Sequence, residues 1–541
     1  MKKLLSTLLC LALVLSLAPA ALAEDVGLAK YEEPVTVTFV RSVDDTMETN
    51  ILSVLDGATV EDNLWIDAYL DKLNIKVEYE WIVNQSEYEQ KLNLAIASGD
   101  IPDLLRVNAT QLQQLAEAEM IMPVGELYEQ YATDFTKATL VEETETVFNA
   151  AYYDSKLYGL PETSCSSDST SFLWIRNDWL DKLGMTVPTT MEEVLAVAEA
   201  FVNKDPDGNG VADTYGIVFG KSLWYDWCEL EGFFNGYGAY PNIWLKNEEG
   251  KLVYGSVQSE VKDALAVLAD LYKKGYIDPE FCVKDGGAAA ELAVSGKVGM
   301  FYGPQWVPLY PLQTNKDNDP NAVWTGYSPV ALAGKEIKAQ NPVATSNYWV
   351  ISNECEHPEA LVKMFNLFIE LCWGETGDNG VYYAPMECEG IWKLSPLAPS
   401  KPFKNIDAFR ALDKERKTGD ASEVVGEAAS IKLKIDTYFS GSDEGHALWG
   451  WERIYGAEGV YGRMVELSEA NAFLVDEFSG ASTPTMIERM STLDDLQDET
   501  FTKIIMGEVG IEEFDAWVKN FESLGGAQIT EEVNEWFAAL Q

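Results

Sequence analysis

Asp205-Pro206-Asp207-Gly208-Asn209-Gly210-Val211-Ala212-Asp213 sets oxygen-bearing side chains at positions 1, 3, 5 and 9 of a loop. That spacing suits a hard cation. Asp205, Asp207, Asn209 and Asp213 offer side-chain oxygens, the Val211 carbonyl falls at position 7, and Gly210 at position 6 permits the sharp turn. The pattern departs from a full calcium loop at position 12, where Gly216 stands in place of a bidentate Glu, and Thr214 does not replace it. A structural Ca2+ site and a plain Asp/Gly turn are the two readings of this stretch. Hydrolytic chemistry finds little support elsewhere. The only histidines are His357 and His446, and neither an HExxH nor a GxSxG pattern occurs. With 88 acidic residues a carboxylate pair can always be chosen, so abundance singles out no glycosidase dyad.

The elements that must hold such residues begin after an export signal. Lys2 and Lys3 precede an apolar run from Leu4 to Leu17, and Ala21-Leu22-Ala23 stands before Glu24. This layout predicts a secretory signal peptide over residues 1–23, cleaved after Ala23, and a secreted, extracytoplasmic protein. Cys10 lies too early in the apolar run for lipid attachment. The formal charge of −49 makes nucleic acid and anionic lipid surfaces poor partners. Cys165, Cys228, Cys282, Cys355, Cys372 and Cys388 show neither CxxC pairs nor regular spacing, so neither a zinc site nor a disulfide framework is indicated.

After a linker over 24–33, Val35 to Val40 alternates as a first strand. Leu64, Trp65, Tyr69 and Leu73 recur at helical spacing, and Ile75 to Val83 alternates again. Ser86 with Glu89 reads as a capping box for a helix closed by Gly99, followed by a strand from Ile101 to Val107. A second passage runs from a strand at Phe172 to Arg176, through a short helix ending at Gly184, to a helix capped by Thr189 and Thr190. Strands alternating with helices at this pace predict α/β units built on a mainly parallel sheet.

Four segments together resemble the extracellular solute-binding proteins of carbohydrate ABC importers. They are Leu94 to Leu104 with its Gly99-Asp100 and Pro102-Asp103, Asp154 to Pro161, Trp174 to Gly184 with Val187-Pro188-Thr189-Thr190, and Gly296 to Gly303. The resemblance covers residues 35 to about 385 and is only general beyond about 390. It implies an α/β, two-lobed periplasmic-binding-protein-like fold (type II) whose hinge-joined lobes close on a ligand. By that similarity, residues 34–163 and 302–385 belong to one lobe, and 168–300 and 390–541 to the other. Asp154 to Pro161 would lead into the hinge and Gly296 to Gly303 would return through it. The implied function is capture of a carbohydrate, in particular an oligosaccharide, and its delivery to membrane permease subunits without covalent chemistry. Other solutes such as an oligopeptide, and a secreted glycoside hydrolase, are the alternatives. A calcium loop in such proteins is structural and far from the ligand. No heptad seam argues against a monomer.

Sugars present apolar C–H faces rimmed by hydroxyls, so their pockets need flat rings and planar polar groups. The aromatics near the implied hinges, Trp174, Trp224, Trp227, Tyr302, Trp306, Trp349 and Trp449, are therefore the candidate ligand contacts, with Tyr225, Tyr348 and Trp451 beside them. Arg176, Asp178 and Gln305 add polar edges, although Arg176 with Asp178 reads equally well as a salt bridge near a helix start.

Overall fold

A computed structural model describes residues 26–44, 47–385, 388 and 390–540. The expected signal peptide and Cys10 lie outside them. Among the described residues no helix is long and apolar enough to cross a membrane.

Lobe one starts as the sequence predicts. Val35–Val43 and Ile75–Asn84 pair in parallel, with a register shift between Phe39 and Val40. The helix between them, Leu64–Leu73, begins where Asn63 accepts hydrogen bonds from the Trp65 and Ile66 backbone N–H groups, and ends at left-handed Asn74. Helix Gln85–Ser98 ends at left-handed Gly99 as expected, but its cap is Asn84, whose side chain accepts from Ser86 N. Ser86 falls inside the helix because strand Ile75–Asn84 runs one residue further than its alternation suggested.

The expectation of mainly parallel sheets does not hold. Asn347–Ile351 lies antiparallel between Leu104–Asn108 and Gly159–Pro161. In the other lobe, Phe172–Arg176 lies antiparallel between Met300–Gly303 and Trp324–Tyr327. Each three-stranded sheet combines strands far apart in sequence, so short βαβ crossovers do not dictate its strand directions.

Phe172–Arg176 is buried on both faces, and period-2 alternation divides its side chains between two cores. Leu173 and Ile175 pack with Met300, Tyr302 and the long helix Pro484–Met506, whereas Phe172 and Trp174 pack with Phe301, Trp324 and helices Lys404–Thr418 and Gly426–Phe439. Gly326 makes room for Trp174: a Cβ there would meet the indole at 2.9 Å.

These cores revise the lobe boundaries. Strands 300–303 and 324–327 pair with 172–176, so residues 302–345 pack with lobe two rather than lobe one. Ile391, Leu394 and Leu397 pack in the lobe-one core, not in lobe two. The segment 296–303 accordingly lies inside lobe two and is not a hinge strand. The chain crosses between cores near 161–165, 344–347 and 397–403. These crossings are tied together by Ser164 N donating to Ala344 O (2.8 Å), Thr345 Oγ1 to Glu162 O (2.9 Å) and Thr163 Oγ1 to Ser400 O (2.6 Å). A few extended residues per crossing, joined by few side chains, form a connection that bends more easily than either core deforms.

Candidate functional site

Pockets open beside the crossings in both lobes. The lobe-two pocket, about 220 Å³, is lined by Asp168, Tyr225, Asp226, Glu229, Glu231, Trp306, Gln340 and Asn341 among others. Strand Met300–Gly303 positions much of it. Glu229 N donates to Tyr302 O at 2.9 Å, which fixes the 225–231 segment along the strand end, and the chain then turns through Pro304 to present Trp306. Trp306 is 40% exposed and Tyr225 68%. Tyr225 also holds a left-handed backbone (φ 56°), a strain that persists only where the surroundings enforce it. Asp168 and Asn341, a few residues from the crossings, also line the pocket. Asp168 accepts from Tyr461 Oη (2.8 Å) and Asn405 Nδ2 (2.8 Å), and Asn341 Oδ1 accepts from Thr170 Oγ1 (3.0 Å).

Two buried carboxyls lie side by side in this wall. Burial, reinforced by the charge of Glu231, holds Glu229 well above the usual carboxylate range, and burial pushes Glu231 up to about 7. Glu231 Oε1 accepts from Tyr225 N (3.3 Å). Its Oε2 meets no donor among the described residues except the Glu229 carboxyl when that is protonated. Asn341 Nδ2, on a side chain 1% exposed, donates to nothing among the described residues.

The lobe-one pocket, about 320 Å³, is lined by Arg41, Asp44, Tyr88, Arg106, Glu162 and Trp349 among others. Most of its guanidinium donors are engaged, although the buried Arg41 Nε has no acceptor among the described residues. Arg106 Nε and Nη2 donate to the two Glu162 oxygens at 2.9 and 2.8 Å. Arg41 donates to the carbonyls of Lys393 and Ser395, pinning the segment after the last lobe-one helix against the first strand.

The sequence candidates divide sharply. Trp306 lies in the lobe-two pocket, and Gln305, half-buried, precedes it without lining it. Trp349 borders the lobe-one pocket but is 3% exposed, its Nε1 donating to Glu162 Oε2 (3.0 Å). Trp174, Trp224, Trp227, Tyr302 and Trp449 are core residues. Their polar tips are used internally: Trp174 Nε1 donates to Gly303 O, Trp224 Nε1 to Asp498 and Trp227 Nε1 to Gly286 O. Arg176 is buried in a fork with Asp178 (2.8 and 2.6 Å), bonded to Asp319 (3.0 Å) and set over the Trp179 and Trp324 rings. The salt-bridge reading fits it.

Glu229, Glu231, Asp168, Asp226, Gln340 and Asn341 were not picked out from sequence. A signal existed in Trp224-Tyr225-Asp226-Trp227-Cys228-Glu229-Leu230-Glu231, where aromatics mix with acids. The pocket takes Tyr225, Asp226, Glu229 and Glu231 from that run, while Trp224 and Trp227 turn into the cores.

In the 205–213 loop, Asn209 Nδ2 donates to Asp207 Oδ2 (2.6 Å) and Asp213 Oδ1 (3.1 Å), while Asp205 accepts from Gly208 N and Gly210 N. Four oxygen-bearing side chains thus share one turn around the Val211 backbone. Partial burial, with the Asp205 and Asp213 charges adding to it, raises Asp207 above the ordinary range. The carboxylates are crowded and oxygen-rich, the donor type a hard cation takes, but among the described residues no three His, Cys, Asp or Glu side chains form a metal-holding cluster. Gly216 explains the missing twelfth ligand. A Cβ there would lie 2.8 Å from Ala198 O, so no side chain fits.

Raised acids give a pH signature. Burial lifts Glu231 and Asp476 to about 7 and Asp494 to about 6. The folded state keeps protons that the unfolded chain has already released, so stability falls as pH rises from the ordinary carboxylate range through about 7. Thermal melts are expected to give a lower Tm at about pH 8 than at about pH 5. Glu231→Gln should flatten that slope, and an unchanged slope would remove Glu231 from the set.

Two α/β lobes joined by three short crossings, with pockets at the hinge, define a two-lobed solute-binding protein. The chain belongs to the bacterial extracellular solute-binding protein family, whose profile matches residues 57–370. It is 23% identical over 487 residues, covering 86% of this chain and 87% of the relative, to the polygalacturonan/rhamnogalacturonan-binding protein YtcQ of Bacillus subtilis. It is 29% identical over 238 residues, 42% of this chain and 44% of the relative, to the fructooligosaccharide ABC transporter substrate-binding protein FusA of Streptococcus pneumoniae. The fold is shared with alginate-binding protein AlgQ2 (TM-score 0.62, 15% identity, covering 94% and 99% of the two chains) and with S. pneumoniae FusA in complex with kestose (TM-score 0.63, 17% identity, 94% and 99%).

Proposed function

We propose that this protein captures an oligosaccharide between its lobes outside the cell and hands it unchanged to the permease subunits of an ABC importer. The observation that carries this reading is the lobe-two pocket, where exposed Trp306 and Tyr225 rings stand beside buried carboxyl and amide groups at the crossings. Rings stack on the C–H faces of sugars, and carboxyl and amide groups bond the hydroxyl rims. Relatives described as polygalacturonan/rhamnogalacturonan-binding and as a fructooligosaccharide substrate-binding protein support a carbohydrate ligand. Bending at the crossings changes the face presented to a permease, and no bond of the ligand is broken. Residues 1–23 direct export and are cleaved off after Ala23, and the protein works as a monomer. A thermal-shift screen of mono- and oligosaccharides tests the reading: a specific rise in Tm with the sugar recovered intact is expected. Recovery of a cleaved sugar, or no shift with any saccharide, would overturn it.

Asp205, Asp207, Asn209, Asp213 and the Val211 carbonyl hold a structural Ca2+ in this reading. When bound, the ion neutralises the acidic turn and braces it beside Lys182, which donates to Pro206 O (2.8 Å). Among similar solved structures are AlgQ2 without calcium ion and a FusA EF-hand mutant. A hundredfold excess over Kd stabilises by about 2.7 kcal/mol. Chelation is therefore expected to lower Tm and added calcium to restore it, while sugar affinity changes little because the loop does not line the lobe-two pocket. A Tm indifferent to both, with no metal by elemental analysis, would dispose of the site.

A further inference from the structure

We propose that the lobe-two pocket selects an uncharged, hydroxyl-rich sugar ring and rejects a uronate at that position; this inference rests on the oligosaccharide reading above.

The charge lining the pocket is of one sign. Asp168, Asp226, Glu229 and Glu231 contribute four carboxyl groups, and among the described residues no Lys, Arg or His lines it. The lobe-one pocket does not offset this. There Arg41, Arg106 and Lys393 stand with Asp44, Glu89 and Glu162, three basic against three acidic residues. Arg106 is spent on Glu162, and Arg41 on backbone carbonyls. Arg41 Nε is left as a single buried donor without an acceptor, but among the described residues of these two pockets no guanidinium keeps a free two-donor fork to clamp a ligand carboxylate.

A second, independent observation comes from hydrogen bonding. Asn341 Nδ2 is a buried donor that donates to nothing among the described residues, and Glu231 Oε2 is a buried oxygen faced only by the carboxyl of Glu229. Leaving such groups unmatched inside a protein is costly, so a ligand that supplies both partners is favoured. A hydroxyl both donates and accepts. A uronate carboxylate can accept from Asn341 but brings only acceptors to the acidic side. The Trp306 and Tyr225 rings provide the apolar surface on which the C–H face of a neutral ring rests.

Burial adds to the discrimination. Glu229 and Glu231 are each 5% exposed, and solvent screens a charge brought beside them only weakly. Burial raises the proton affinity of both carboxyls, and a carboxyl that carries its proton donates as well as accepts toward hydroxyls.

Calorimetry tests the inference on the full mature chain with neutral tetrasaccharides and their uronate counterparts of the same ring, linkage and length, galactotetraose against tetragalacturonate being one such pair. At least one neutral member is expected to bind about 100-fold more tightly than its uronate, since like charges placed together at a desolvated interface weaken binding by that order or more. A uronate that binds as tightly as its neutral partner, or more tightly, overturns the inference while leaving oligosaccharide capture standing. Absence of binding by every member of both series ends both. Glu229→Gln with Glu231→Gln, checked for an unchanged circular dichroism spectrum, is expected to narrow the neutral-to-uronate ratio at least about 10-fold. A ratio that stays the same in this variant overturns the assignment to these two residues. Each single variant repeats the measurement should the double variant not fold.

Discussion

Replacing Trp306 by alanine is expected to weaken oligosaccharide binding by roughly 30-fold while leaving Tm nearly unchanged, the signature of a contact made with ligand and not with the core. The ring is 40% exposed and lines the lobe-two pocket at the end of strand Met300–Gly303, so removing it opens no cavity in a packed interior. What is lost is stacking area on the sugar face, worth about 2 kcal/mol for a large aromatic anchor. Trp306→Phe should recover part of the affinity, because a smaller flat ring remains. A change below about threefold for the alanine variant would show that the ring does not touch the ligand.

Trp174→Ala should do the opposite. Its side chain is 0% exposed, packed against Phe172 and Phe301 in one lobe-two core, with Gly326 against the indole face and Nε1 bonded to Gly303 O at 3.2 Å. Deleting a buried Trp costs about 3–5 kcal/mol, because transfer free energy is lost and the cavity only partly collapses. Denaturant unfolding followed by tryptophan fluorescence is expected to show that loss, and the folded fraction should bind sugar with little change in Kd. A variant as stable as the parent, with affinity reduced, would move Trp174 from the core to the ligand. The two variants together separate the aromatics that carry binding from those that carry the fold.

Local signals were read correctly where they depend on neighbours in sequence. Thr190 caps helix Met191–Asn203 by accepting from Glu193 N, and Glu193 in turn accepts from Thr189, as the Thr-Thr-x-Glu-Glu run suggested. Gly99 and Gly184 close their helices with left-handed backbones. The strand, helix, strand order from Val35 to Asn84 follows from alternation and helical spacing, which a chain carries in one dimension.

Lobe membership and the direction in which each aromatic points were not legible. Segment 302–345 joined lobe two because strands 300–303 and 324–327 found Phe172–Arg176, more than a hundred residues earlier in the chain, and no local pattern encodes that partner. For the same reason Trp174 and Tyr302, chosen as pocket walls, became core: a strand covered on both faces buries every side chain, whatever its chemistry. The run 224–231 carried the right residue types, yet tertiary hydrogen bonds, Glu229 N to Tyr302 O, Trp224 Nε1 to Asp498 and Trp227 Nε1 to Gly286 O, fixed which of them turned toward the pocket. Sequence alone determined the family, the two-lobed plan and the kinds of side chain on hand for a sugar. Tertiary structure decided which ones a ligand can reach, because exposure is set by what packs on the far side of each strand.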